Sequence, residues 1–309
     1  MINSHKIATL TATLTTALSL LAAPAMAFSV GATNNTETLK NNLLGKNTVG
    51  LSNFSVSVTG NQAAFGTFTN DPFGLQSGVV LSTGKVIDIP GQNRKDNLMT
   101  NGSDLNTDFG PKGEAGDSTQ LDLSFFADST AKKLFFEYVF GSEEFPEFGG
   151  SAFNDDFQLL LNGQNLAKLS DGKTVTINNL VPDPNNRSTD HSDYINNPSL
   201  TGLAANIIKL DGFTKILGFE GLLKPNQTNV LSIRIKDVGD GNFDSAVFIK
   251  GGSLGTIKAD TVPESVALLI KTSSVETIKA EAVPEPMTVG GLIAGGAMLA
   301  AGRKLRGRK

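Results

Sequence analysis

Carboxylate side chains occur in two groups that could bind a hard cation or perform acid–base chemistry. The first group, in the loop spanning 143–156, comprises Glu143, Glu144, Glu147, Asp155 and Asp156. These carboxylates repel each other, so water, backbone N–H groups or a cation must offset the repulsion. Ca²⁺ suits such a loop because it takes about six to eight oxygen ligands from flexible segments. The spacing is not that of an EF-hand, so a solvated polar loop is the alternative.

The second group lies in a glycine-containing turn at 237–244, where three Asp residues are separated by three and four positions. Gly239 and Gly241 allow positive φ, so the backbone could fold around an ion. The alternative is an Asx-turn hairpin, in which each Asp accepts hydrogen bonds from its own backbone. We predict that the loop and the turn meet at one end of the domain and share one Ca²⁺. The predicted ligands are Glu144, Asp155, Asp237, Asp240 and Asp244.

Short strands are expected to position both groups. Leu134–Phe140 and Phe157–Leu161, which flank the acidic loop, are rich in aromatic and aliphatic residues. Apolar and polar residues alternate along Val230–Lys236, which indicates a half-buried strand. Further strands are expected at Phe54–Thr59, Ala63–Phe68, Ser77–Gly84, Leu121–Phe125, Thr174–Ile177 and Ile216–Leu223, and a short helix at Glu37–Leu44. The pattern predicts an all-β fold, an antiparallel β-sandwich or jelly roll, with long polar surface loops at 90–118 and 181–200.

Composition excludes several kinds of site. The chain has 309 residues and no Cys, so disulfides, thiolate metal sites and Cys nucleophiles are impossible. It has two His, His5 and His191, which rules out a His-rich zinc site. Nothing in the sequence supports a Ser-His-Asp triad built on His191, which lies in a polar loop. With no Trp and two Tyr, the chain is poorly supplied for stacking on sugars.

The N-terminus has the features of a secretory signal peptide. Lys6 gives a positive start, Ile7–Leu21 is apolar and Thr-rich, and Ala25 and Ala27 form a small-x-small cleavage site. The apolar stretch is short and interrupted by Thr, which disfavours a transmembrane anchor. We therefore expect residues 1–27 to form a signal helix that a signal peptidase removes during export.

The C-terminus combines a short motif, an apolar segment and a basic tail. The motif consists of Val283, Pro284, Glu285 and Pro286, and the tail contains Arg303, Lys304, Arg306, Arg308 and Lys309. Between them, Met287–Gly302 carries no charge; as a single helix it spans about 24 Å, slightly less than a bilayer core. The basic end is expected to stay cytoplasmic. This order is that of a removable sorting signal, and a plain tail anchor is the alternative.

An internal repeat precedes this segment. Thr256–Ser265 matches Thr277–Pro286 at an offset of 21 residues, which indicates a duplicated linker. The expected organisation has four parts. These are a signal peptide at 1–27, a β domain at 28–254, a linker at 255–282 and a sorting signal at 283–309.

The C-terminal features resemble the PEP-CTERM sorting signal of bacterial surface proteins. The resemblance implies that an exosortase recognises Val283–Pro286 and cuts there. The C-terminal helix would anchor the chain in the membrane until the cut releases it to the surface or the extracellular polysaccharide matrix.

The body of the chain, about residues 35–252, resembles the choice-of-anchor L domain. The matching segments are Gly78–Gly84, Phe136–Phe148, Ser151–Asp155, Asp237–Asp240 and Asp244–Phe248. This resemblance implies a location and an architecture, and it implies no particular chemistry.

Charge and signals together indicate a function. The net charge is −4, and removal of residues 1–27 and 287–309 takes away six basic residues and no acidic one. Such a chain is not expected to bind nucleic acid or anionic lipid through its surface. We predict a non-enzymatic, exported surface or matrix protein that binds a glycan or another surface protein. The alternative is a secreted polysaccharide hydrolase that uses two carboxylates of the 143–156 loop, roughly 5 to 9.5 Å apart, as acid and base.

Overall fold

The computed structural model describes residues 27–95, 102–110, 117–239 and 241–256. The strands in these ranges are β1 (Ser29–Ala32), β2 (Leu51–Thr59), β3 (Phe65–Thr69), β4 (Ser77–Ser82), β5 (Ser118–Ala127), β6 (Lys133–Ser142), β7 (Asp156–Leu161), β8 (Gln164–Asn165), β9 (Tyr194–Asn196), β10 (Gly212–Thr214), β11 (Leu217–Leu222), β12 (Gln227–Lys236) and β13 (Ser245–Lys250). Two short helices, α1 (Thr36–Leu43) and α2 (Ile177–Leu180), accompany them.

The strands form two antiparallel sheets. The larger sheet has the order β1-β3-β4-β13-β6-β10-β9, and β11 also pairs with β6. The smaller sheet has the order β2-β5-β12-β7-β8. This architecture confirms the all-β, antiparallel fold class expected from the sequence.

Alternating side chains build the core between the sheets. In β5, Leu121, Leu123 and Phe125 are fully buried while the residues between them are half-buried. They belong to one cluster with the inward residues of β6, β7 and β12. Full burial of each such side chain contributes about 1.5–3 kcal/mol to folding.

The larger sheet is also covered on its second face. Val80, Val139 and Phe248 belong to a separate buried cluster, whereas their neighbours along the same strands belong to the first. Because successive side chains of a strand point to opposite faces, β4, β6 and β13 are buried on both sides. This explains why β4 and β13 are almost continuously apolar.

One expected strand, Thr174–Ile177, and one expected strand boundary, at Ala63, were wrong. Residues 174–176 make only isolated bridges, and Ile177 begins α2. The hydroxyl of Thr176 accepts a hydrogen bond from the N–H of Asn179 at 3.2 Å, so Thr176 caps the helix in place of extending a strand. The strand expected from Ala63 starts at Phe65, after one 3-10 turn.

The sequence had suggested that 90–118 is a long surface loop, but the segment is partly buried. Asn93, Leu105 and Asp117 are buried within its described parts. Leu105 belongs to the second apolar cluster, and its carbonyl accepts a hydrogen bond from the N–H of Asp244 at 3.1 Å. The segment therefore packs against the acidic turn.

The expected terminal signals lie almost entirely outside the described residues. Only Ala27 of the 1–27 segment is described, as are 255–256 of the expected linker. In the described part of the chain, no helix has the length and apolar character needed to cross a membrane.

A buried carboxylate cluster at one end of the sandwich

Strand register brings several acidic residues to one end of the two sheets. β6 ends at Ser142 opposite Ser245, which begins β13, and β12 ends at Lys236 opposite Asp156, which begins β7. The residues one position beyond these four ends are Glu143, Asp244, Asp237 and Asp155.

Hydrogen bonds join the 143–156 loop to the 237–244 turn. The carboxylate of Asp155 accepts from the N–H of Val238 at 3.0 Å and from the hydroxyl of Ser245 at 2.5 Å. The N–H of Glu143 donates to the carbonyl of Asp244 at 3.1 Å. The loop and the turn therefore lie in direct contact.

Aromatic packing holds the same two segments together. The ring of Phe148 lies 5.4 Å from that of Phe153 and 5.0 Å from that of Phe243. Phe243 has φ +62°, a left-handed conformation that is strained for a bulky residue. Gly239 has φ +110°, and a Cβ there would lie 2.7 Å from the ring of Phe153. The turn is thus a constrained structure that requires Gly at 239.

The side chains of the cluster are almost completely removed from solvent. Glu143, Glu144, Asp155, Asp237 and Asp244 are each exposed by no more than 2 %. This burial contradicts the alternative of a solvated loop, because Glu143, Glu144 and Asp155 belong to that loop.

The Asx-turn alternative does not describe the turn either. Both carboxylate oxygens of Asp237 are buried and make no well-formed hydrogen bond among the described residues, and their polar neighbours Thr83 and Asp155 lie outside the turn. Asp244 accepts through Oδ1 from the N–H of Thr107 at 3.0 Å, in a different segment. Asp240, the fifth predicted ligand, lies outside the described residues.

Burial is the main reason why the carboxyl groups of Asp237 and Asp244 favour the protonated form more than an exposed Asp does. It raises the pKa of Asp237 well above its usual value, and the charges of Asp155 and Asp244 raise it further. It also raises the pKa of Asp244 to about 7, with the charges of Asp117 and Asp155 adding to the effect. None of the ion pairs found among the described residues involves Asp237 or Asp244.

A further pair at the same end was not predicted from the sequence. Asp211 immediately precedes β10 and is 1 % exposed, and its N–H donates to the carbonyl of Ser142 at 3.2 Å. Burial raises its pKa to about 10, and the charge of Glu143 adds to the rise. Burial likewise raises the pKa of Glu143 well above its usual value. The one sequence signal that could have pointed to Asp211 is its position directly before the short strand Gly212–Thr214.

The geometry differs from that of a preformed metal site. Across the described ranges, no group of three or more His, Cys, Asp or Glu side chains is arranged to hold a metal ion. Three surface cavities, of about 250, 240 and 530 Å³, are lined by other residues. Glu143, Glu144 and Asp155 are thus buried groups and do not line any of these cavities.

Comparison with known proteins places the domain in a family. The sequence profile of the Choice-of-anchor L domain matches residues 29–255, which include all the strands described above. No significant match was found among curated proteins or among solved structures. The profile covers well over half of the chain, so the protein belongs to the Choice-of-anchor L domain family, whose membership indicates an exported, cell-surface protein.

Proposed function

We propose that this protein is a non-enzymatic component of the cell surface or extracellular matrix that binds a glycan or another surface protein. Family membership supports the location. In this proposal a signal peptidase cuts after Ala27, and the segment 287–302 holds the chain in the membrane transiently. An exosortase then cuts at Val283–Pro286, while the basic tail stays on the cytoplasmic side.

The observation that carries the proposal, through a Ca²⁺ ion that would stabilise the binding surface, is the environment of Asp237. Its side chain is 1 % exposed, and neither carboxylate oxygen makes a well-formed hydrogen bond among the described residues, where Thr83 and Asp155 are its polar neighbours. Ionising such a buried carboxylate costs several kcal/mol, so the carboxyl group favours the protonated form in the absence of a cation. A protein outside the cell can offset this cost with Ca²⁺, which accepts ligands made of oxygen alone.

We assign the Ca²⁺ ligands to the residues predicted from the sequence: Glu144, Asp155, Asp237, Asp240 and Asp244. The described carboxylates do not yet converge on one point. Ca²⁺ binding would therefore turn the carboxylates of the 237–244 turn and the 143–156 loop, which already lie in contact, toward one ion. The result would be a more rigid end of the sandwich, where adjoining loops can present a binding surface.

An apolar groove supports binding to another protein. Phe73, Ile195, Phe213 and Ile216 line a groove of about 240 Å³ on the larger sheet. At its rim, Leu203 is 95 % exposed. Exposed apolar patches of this kind often mark sites of protein–protein contact.

The internal repeat provides a matched test of sorting. In an exosortase-containing bacterium that expresses the full chain, Pro284→Ala with Glu285→Ala should leave the protein uncut and in the membrane fraction. The same changes in the first copy, Pro263→Ala with Glu264→Ala, should leave processing intact, because that copy is not directly followed by an apolar segment of comparable length and a basic tail. Mass spectrometry of the membrane and extracellular fractions measures the product.

The same cultures test the proposed binding. The processed protein should remain with the extracellular matrix in Ca²⁺ and enter the soluble fraction when EDTA is added. Hydrolysis of the matrix polysaccharide, the alternative activity, is measured as the release of reducing sugar ends by the purified protein. If processing is equal in both double variants, the sorting role of 283–286 is wrong. Release of reducing sugars by the purified protein would favour the hydrolase in place of a binding protein.

A further inference from the structure

Three buried oxygen atoms without hydrogen-bond partners form a second group near the carboxylate cluster. They are Oε1 of Glu143, Oδ2 of Asp211 and Oδ1 of Asn93. The three side chains are exposed by 0 %, 1 % and 0 %, respectively. They come from three segments: the end of β6, the start of β10 and the chain that follows Gly91. When the carboxyl groups are ionised, all three atoms are hydrogen-bond acceptors and cannot donate.

The orientation of the Asn93 amide is fixed by its donors. Its Nδ2 donates to Oδ1 of Asp211 at 2.6 Å and to the carbonyl of Asn197 at 2.9 Å. Both amide hydrogens are thus used, and reversal of the amide would place an acceptor against two acceptors. Oδ1 of Asn93 is therefore held in a position where it needs a donor or a cation.

Glu143 and Asp211 are fixed in the same way. Oε2 of Glu143 accepts from the hydroxyl of Ser103 at 2.9 Å. The backbone bond from Asp211 to Ser142 places the two acidic residues on adjacent strand ends. Each side chain therefore has one oxygen anchored to the protein and one oxygen without a partner.

Further carboxylates add negative potential at this group. Asp104 contributes to the electrostatic field at both Glu143 and Asp211, and Glu147 contributes at Asp211. None of the ion pairs found in the described ranges involves Glu143 or Asp211. Once a bound cation displaces their protons, the two carboxylates and the amide oxygen present the charge and the ligand type that one divalent hard cation requires.

We propose that Asn93, Glu143 and Asp211 form a second Ca²⁺ site, distinct from the site assigned to the 237–244 turn. Ca²⁺ accepts irregular sets of carboxylate and amide oxygens, whereas Mg²⁺ demands near-ideal octahedral geometry and usually keeps several waters. A set with two carboxylates is also compatible with the finding that no three acidic or His side chains in the described ranges form a metal site. The bound ion would tie the ends of β6 and β10 to the segment around Asn93.

Isosteric substitutions test this site in the full exported chain. Glu143→Gln with Asp211→Asn removes both charges and keeps acceptors for Ser103 and Asn93. Calorimetric titration with CaCl₂ should show one fewer Ca²⁺ bound per chain than in the wild type. The matched variant Asp237→Asn should lose the other ion and keep this one. Equal Ca²⁺ stoichiometry in the wild type and the folded double variant would overturn the proposal.

The two proposed Ca²⁺ sites can be refuted independently of each other. If Asp237→Asn binds as many ions as the wild type while the double variant binds one fewer, the turn site is wrong and the second site stands. If the double variant does not fold, crystals of the wild type soaked in CaCl₂ decide the question. An anomalous peak about 2.3–2.6 Å from Oε1 of Glu143 and Oδ2 of Asp211 supports the site. A Ca²⁺-saturated crystal without that peak refutes it.

Discussion

Lowering the pH from 8 to 5 is expected to stabilise the protein when Ca²⁺ is removed by a chelator. Burial, together with the charges of Asp117, Asp155 and Asp88, raises the pKa of Asp244 from 3.8 to about 7. Between these two values the folded state binds more protons than the unfolded state. The free energy of unfolding therefore falls as pH rises through this window and is lowest above about pH 7. Between pH 5 and pH 8, Asp244 alone accounts for about 3 kcal/mol.

Other buried carboxyl groups should act in the same direction. The pKa values of Glu143, Asp211 and Asp237 are also raised, chiefly by burial. Urea unfolding in EDTA at several pH values measures the effect. Asp244→Asn should remove most of the pH dependence of stability that Asp244 contributes, since an amide does not titrate. The variant should still fold, because an amide at that position still accepts from the N–H of Thr107. Glu37→Gln, at an exposed position, serves as the control. Stability that declines steadily from pH 8 to pH 5 would contradict this explanation.

Gly84→Ala is expected to destabilise the protein by about 3 kcal/mol and to weaken Ca²⁺ binding. A Cβ at Gly84 would lie 1.8 Å from Oδ2 and 2.2 Å from Cγ of Asp244. Asp244 cannot easily move away, because it is 2 % exposed and its other oxygen accepts from Thr107. Overpacking of a dense interior typically costs about 1–3 kcal/mol, and here the displaced group is also a proposed ligand.

Gly218→Ala is a suitable control for this substitution. A Cβ at Gly218, in β11, would meet nothing within 4 Å, and its φ is not in the left-handed region. The free energy of unfolding of the Gly218→Ala variant should stay within about 0.5 kcal/mol of the wild-type value. Chemical denaturation of both variants provides the comparison. Equal stability of the two variants would show that Asp244 is not confined against the backbone at Gly84.

Local patterns were sufficient to predict much of the fold. The alternation of Leu121, Leu123 and Phe125 identified β5, because one face of that strand is buried and the other is not. The α1 helix was predicted from the spacing of Leu39 and Leu43, both of which are fully buried. By contrast, Thr174–Ile177 looked like a strand because it is rich in β-branched residues. The capping hydroxyl of Thr176 favoured a helix there.

The candidate site was only partly visible in the sequence. Clustering along the chain revealed the 143–156 loop and the 237–244 turn, since their acidic residues are close in sequence. Asn93 and Asp211 are 118 positions apart, and only the tertiary fold brings them into hydrogen-bond contact. Burial of Glu143 was also unpredictable, because a polar, Gly-rich loop normally faces solvent.

The most direct test of the account is thermal unfolding of residues 28–254, first in EDTA and then with increasing CaCl₂. This segment contains every buried apolar residue of both clusters, from Phe28 to Leu254. Because a ligand that binds only the folded state stabilises it by mass action, the midpoint should rise continuously with Ca²⁺. At a concentration one hundred times the dissociation constant, the gain is about 2.7 kcal/mol for each site. A midpoint that stays constant across the whole titration would contradict the proposal that Ca²⁺ occupies this end of the sandwich.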